Sequence, residues 1–157
     1  MRHERYGRIT LKILVINGPN INMLGIREPE IYGRRTYDDL VAYITDAAQK
    51  LGVDVSFFQS NSEGAIVDAI QAAYYDGTDA IIINPAAYTH TSIAIPDAIK
   101  AVGIPCVEVH ISDPDTREEF RRVSYTRPVC AAVYKGMGFD GYVEAMKFLV
   151  SCKQKNT

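Results

Sequence analysis

The sequence predicts an α/β protein: a flavodoxin-like, doubly wound sheet of five parallel strands in the order 2-1-3-4-5. Three observations carry that expectation. Short β-branched runs alternate with helical patterns along the chain. The runs are apolar on both faces, as strands covered by helices on either side must be. The 157 residues, 47% of them hydrophobic, make one domain with enough material for a core.

The elements follow in order. "KILVI" (12–16) reads as the first strand and Thr36 to Leu51 as a helix, with Thr36 and Asp39 spaced as a capping box. "VDVSFF" (53–58) is the second strand, followed by a helix from Ser62 to Tyr75. "DAIII" (79–83) is the third, and the helix after it spans roughly Ser92 to Val102, where Pro96 is admissible only in the first turn. "PCVEV" (105–109) and "PVCAAV" (128–133) complete the sheet, and a last helix runs from about Gly141 to Cys152. Gly52, Gly77 and Gly103 fall where helices end in left-handed glycines. The whole chain, 1–157, reads as a single domain whose residues 1–11 form a flexible N-terminal extension.

Composition excludes several classes. A net charge of -2 gives no general attraction to nucleic acid or to an anionic membrane. No apolar run approaches the ~20 residues of a membrane helix. The charged start, "MRHERYGRIT", lacks a signal peptide's apolar segment, so a cytoplasmic protein is expected. Cys106, Cys130 and Cys152 are odd in number and widely spaced, the pattern of reduced thiols rather than of a disulfide framework. His90 and His110 lack a clear third ligand, so no metal is expected. Without a P-loop, a G-x-G-x-x-G or a G-x-S-x-G, nothing announces a nucleotide, another cofactor or a serine nucleophile.

In doubly wound sheets, ligands bind beyond the carboxyl ends of the strands. Polar clusters follow the first four strands on that rim: "NGPN" (17–20), "QSNSEG" (59–64), "NPAAYTHTS" (84–92) and "HISDPDTREEFRR" (110–122). Each residue has an ordinary reading: Asn20 in a turn, His90 at a helix entry, Arg117 and Arg121 in a salt-bridged face with Glu118. Their convergence on one rim points to a site. Glu108 and His110 share a strand face, and a carboxylate beside an imidazole orients it and favours the protonated form that an acid catalyst needs. The connection "LGIREPEIYG" (24–33) is long for its position and carries Arg27 and Tyr32. On these residues alone an enzyme and a cofactor- or anion-binding module of the same fold stand about even.

Six motifs in this order, "INGPNINMLGIREPEIYG", "FFQSNSEG", "NPAAYTHTS", "VEVHIS", "REEFRRVSY" and "GMGFDGY", resemble type II 3-dehydroquinate dehydratase from about Lys12 to Leu149. The resemblance implies dehydration of 3-dehydroquinate to 3-dehydroshikimate, in shikimate synthesis or quinate breakdown, without metal or organic cofactor. It also implies a homo-oligomer, commonly a dodecamer built as a tetramer of trimers. By the same resemblance Tyr32 is the catalytic base, Arg27 the essential loop arginine, and His110 the acid oriented by Glu108. Asn20 positions a water for the enolate. Asn84, Ser112 and the backbone of Ile111 contact the substrate carboxylate, and His90 and Arg121 its ring hydroxyls. Arg117 is a second arginine near the tyrosine, and Asp97 reaches in from a neighbouring subunit. The chain departs from the family pattern at Pro96, at Asp113 and Asp115 in place of a commoner Asn and His, and at Lys135 in place of a small or apolar residue.

This chemistry explains the long loop. An unperturbed tyrosine titrates at about 10 and is a poor base at neutral pH, but neighbouring guanidinium groups favour its phenolate. A lid closing over substrate, with Gly25 and Gly33 as hinges, would bring Arg27 and Tyr32 into place and exclude water.

Overall fold

The computed structural model describes residues 10–156. Its sheet has five parallel strands, β1 (Lys12–Asn17), β2 (Asp54–Gln59), β3 (Ala80–Asn84), β4 (Cys106–His110) and β5 (Ala132–Lys135), in the order β2-β1-β3-β4-β5. The helices are α1 (Pro29–Tyr32), α2 (Tyr37–Leu51), α3 (Glu63–Asp76), α4 (Ala94–Val102) and α5 (Asp140–Lys155). The expected architecture is the one observed.

Alternation along the strands builds two apolar layers. Ile13 and Val15 of β1, Ile82 of β3 and Val107 and Val109 of β4 pack with Leu40 and Ile44 of α2 and Met146 and Leu149 of α5. Ile16, Ile81, Ile83 and Cys106 pack with Ile66 and Ile70 of α3 and Ile95 and Ile99 of α4. Each fully buried Ile or Leu contributes about 1.5–3 kcal/mol, so both faces of the sheet must be covered, as the doubly apolar strands required. Because β4 alternates, Glu108 and His110 project from the same face as Cys106.

Local signals explain the helix ends. Thr36 Oγ1 accepts from the Asp39 amide at 3.2 Å, and Asp39 Oδ2 accepts from the Thr36 amide at 2.8 Å. This is the anticipated capping box, a motif in which the cap alone is typically worth about 1 kcal/mol. Pro96 lies in the first turn of α4, where its missing N–H costs nothing. β5 begins four residues later than expected, because Arg127–Val129 forms a 3-10 turn with Pro128 in it and proline has no donor for a sheet ladder. The core also starts one residue earlier: Leu11 is buried and its carbonyl accepts from the Asp54 amide. Residues 1–9 of the expected extension lie outside the described residues. Among the described residues no helix is long and apolar enough to cross a membrane.

The close spacing of β1 and β3 fixes the rim. Asn17 and Asn84 are register partners at the two strand ends, and the Gly18 amide donates to the Asn84 carbonyl at 2.8 Å. A Cβ at Gly18 would lie 2.5 Å from the Pro85 oxygen, so only glycine permits this approach.

Candidate active site

Gly25 (φ 84°) and Gly33 (φ 79°) bracket the loop expected to act as a lid, both in the left-handed region. A side chain at Gly25 would also meet the Arg34 carbonyl at 2.8 Å. Within the lid, Glu28 takes φ 40° and ψ 63°, unusual for a residue with a side chain, and α1 then begins with Pro29. This single helical turn, which the sequence did not announce, carries Tyr32. The Glu28 carboxylate lies between two guanidinium groups, 3.5 Å from Arg27 Nε and 3.6 Å from Arg117 Nη2.

Arg117, in the loop after β4, donates from Nη1 to the Tyr32 phenolic oxygen at 2.6 Å. The Cζ atoms of Arg27 and Arg117 lie 5.2 and 5.5 Å from the centre of the tyrosine ring, within cation–π range. Both expected arginines therefore reach Tyr32, but it is Arg117 that touches the oxygen, while Arg27 lies over the ring.

Below the lid, β4 presents the carboxylate–imidazole pair. Glu108 is fully buried and His110 is 6% exposed. His110 Nε2 lies 3.3 Å from Glu108 Oε1. The same carboxylate oxygen accepts from Thr89 Oγ1 at 2.6 Å and Ser124 Oγ at 2.8 Å. Burial pushes the Glu108 carboxyl upward, but its contact with His110 and the two hydroxyls outweigh that and hold it below the usual carboxylate range. Thr89 and Ser124 were not anticipated as partners, although both lie within matched motifs. Arg127, whose Nε is 3.8 Å from Glu108 Oε2, gave no signal in the sequence.

A buried amide–phenol chain fixes the cavity floor. Tyr142 donates to Asn17 Oδ1 at 2.6 Å and accepts from Asn84 Nδ2 at 3.0 Å, while Asn84 Oδ1 accepts from the Ala86 amide at 3.1 Å. Burial raises the Tyr142 phenol, so it stays protonated and can donate. Asn84 is thus held with Nδ2 committed through one hydrogen to Tyr142; an amide nitrogen carries two.

Arg27, Tyr32, Asn84, His90, His110, Ile111, Ser112, Arg117 and Arg121 line one cavity with Ile21, Ala86, Ala87 and Pro114. His90 Nδ1 lies 2.7 Å from the Val123 carbonyl, which can only accept, so that nitrogen carries the proton. Arg121 Nε pairs with Glu118 at 2.7 Å, so the salt-bridged reading and the cavity reading both hold. Glu108 lies behind His110 rather than in the wall. Asn20 is exposed on the rim in a left-handed conformation (φ 69°), its amide bound to Asn61 Oδ1, and is adjacent to Ile21 of the wall. Asp97 is exposed on α4 and does not line this cavity.

Three residues at which the sequence was expected to depart from the family it resembles meet in space. Lys135 at the end of β5 hydrogen-bonds Asp115 and stands 3.6 Å from Asp113. Their charges compensate one another outside the cavity wall, beside the 3-10 turn Pro114–Thr116 that precedes Arg117. Among the described residues no three His, Cys, Asp or Glu side chains converge as a metal site.

Fold and site together define a class: a flavodoxin-like α/β protein with a cation-held tyrosine and a carboxylate-backed histidine in one cavity at the carboxyl rim. Comparison with known proteins agrees. The family model Dehydroquinase class II matches residues 11–150. The 3-dehydroquinate dehydratase of Clostridium acetobutylicum is 57% identical over 145 residues, covering 92% of this chain and all of the relative. That of Lachnospira eligens is 55% identical over 146 residues, covering 92% and 99%. The crystal structure of the type II dehydroquinase from Butyrivibrio crossotus superposes with a TM-score of 0.88 at 52% identity, covering 89% of this chain and 97% of that one. The type II dehydroquinase from Propionibacterium acnes gives 0.86 at 42% identity, covering 92% and 99%. This chain belongs to the class II dehydroquinase family.

Proposed function

We propose that this protein removes water from 3-dehydroquinate to give 3-dehydroshikimate, a step of the shikimate pathway, by anti elimination through an enolate. The observation that carries the mechanism is the 2.6 Å contact from Arg117 to the Tyr32 oxygen, in the cavity that also holds His110. A guanidinium donor binds an anionic oxygen more strongly than a neutral one, so it stabilises the phenolate as a base. Tyr32 takes the C2 proton and the electron pair moves into the ketone, forming the enolate. The enolate then expels the C1 hydroxyl, which leaves as water with the proton from His110.

Tyr32 comes from the lid and His110 from the sheet, so base and acid approach a bound ring from different walls. His110 Nε2 faces Glu108, which leaves Nδ1 as the nitrogen for the substrate. Ser112, Asn84 and the Ile111 backbone are assigned to the substrate carboxylate, and His90 and Arg121 to the ring hydroxyls. Asn20 is assigned to the water that stabilises the enolate oxygen. We also assign a homo-oligomer, a dodecamer of four trimers, in the cytoplasm. An exposed Asp97 away from its own cavity supports its use by a neighbouring subunit.

The test is a direct assay with 3-dehydroquinate, following the conjugated enone product by ultraviolet absorbance, with and without borohydride. Turnover that borohydride neither traps nor inactivates is expected, because Lys135, the lysine beside this rim, is engaged by Asp115 and Asp113. Absence of product would refute the assignment, and a lysine adduct would refute the enolate route.

A further inference from the structure

Glu108 has two oxygens, and only one is accounted for by His110, Thr89 and Ser124. The other, Oε2, is buried without a hydrogen bond, and so is Arg127 Nε, 3.8 Å away. Ser124 ties the two residues together: its Oγ donates to Glu108 Oε1 and accepts from the Arg127 backbone amide at 3.0 Å. The segment from Ser124 to Arg127 is therefore folded around this carboxylate. Arg127 lies outside the cavity wall.

We propose that Arg127 is a positioning residue that makes His110 a stronger acid by sharing the Glu108 charge. The inference rests on the reading of His110 as proton donor. Before transfer, Glu108 faces an imidazolium and a guanidinium. After transfer the imidazole is neutral, and Glu108 would be a buried carboxylate with no counter-charge were Arg127 absent. Arg127 stabilises that later state and so eases the release of the proton.

The sign follows from the charges around the pair. Arg121 adds positive charge from the cavity side, burial holds His90 toward its neutral form, and the Cys106 thiol on β4 is kept neutral by its contact with Cys130 and by burial. Asp115 lies near Arg127 but is held mainly by Lys135. Removing Arg127 leaves Glu108 to act on His110 alone, so the imidazolium persists to higher pH. Arg127 is about one-third exposed, so solvent reduces the effect.

The experiment is an NMR titration of the histidine ring signals of the ligand-free protein, which has only three histidines, in wild type, Arg127→Met and Arg127→Lys. We expect the His110 midpoint to move up by about half a pH unit in Arg127→Met, a factor of about 3 in proton affinity, and to return in Arg127→Lys. Turnover should show a several-fold lower kcat with KM unchanged. An unmoved or lowered midpoint in a folded Arg127→Met protein overturns the inference, as does a lysine variant that behaves like methionine. Arg127→Gln, also neutral, carries the comparison should the methionine variant not fold. The titration needs no substrate, so it stands apart from the assay: an inactive wild type would refute the dehydratase reading without moving the His110 midpoints.

Discussion

In the proposed mechanism Tyr32 depends as base on Arg117, which alone among the described residues places a donor on the phenolic oxygen. Replacing it by alanine should lower kcat by about 100-fold or more, comparable to losing one preorganised oxyanion donor. Arg27→Ala should disturb KM as well, because Arg27 lines the cavity and belongs to the lid; steady-state kinetics separates the two. His90 sets a different kind of dependence. Burial holds its ring below the ordinary histidine range, against the Val123 carbonyl and with help from the charges of His110 and Arg121. The unfolded chain then binds a proton at a pH where the folded one does not, so stability rises with pH. That contribution is complete above about 6.5 and is lost as pH falls through the folded value. Glu108, also depressed, adds a loss of the same sign at lower pH. His90→Gln should flatten the change in urea midpoint between pH 7.5 and 5.5 while leaving the steeper loss below pH 4.5. An unchanged slope would remove His90 from the acid sensitivity.

At the scale of elements, the lid is where local sequence and final structure part company. The strands and four long helices were legible because their periodicities and caps are local: Thr36 with Asp39, and the doubly apolar runs of β1, β3 and β4. Neither α1 nor the late start of β5 could be read so. The single turn Pro29–Tyr32 is too short to show a period, and the Glu28 carboxylate before it meets Arg117 from the loop after β4, a contact only tertiary folding makes. Glu108 and His110 were legible as a pair because strand alternation puts them on one face, whereas Arg127 reaches them only through tertiary folding. The lid's own constraint is Gly25. A Gly25→Ala variant faces both a positive φ and a backbone oxygen at 2.8 Å from the new Cβ, so it should destabilise the protein by more than about 1 kcal/mol. It should also lower kcat and raise KM together, as displaced lids do. Thermal unfolding and kinetics on the same sample check both; a variant with unchanged KM and melting temperature would show that the lid does not need this conformation.

At the scale of the whole molecule, two apolar layers hold a rigid sheet whose carboxyl rim gathers residues from four connections, and one exposed residue, Asp97, that the cavity does not use. If Asp97 serves a neighbouring subunit, specific activity should fall as the assembly dissociates on dilution, with light scattering and rate changing together. Full activity in a verified monomer would show each chain to be self-sufficient. The most direct measurement, however, concerns the base. Tyr32→Phe removes one oxygen and the Arg117 hydrogen bond to it but nothing from either apolar layer, so substrate affinity by calorimetry should remain within a few-fold of wild type. Its kcat should fall by about 10³-fold or more, the scale of a lost general base. A phenylalanine variant that binds normally and turns over within tenfold of wild type would contradict the mechanism, because no phenolate would then be removing the proton.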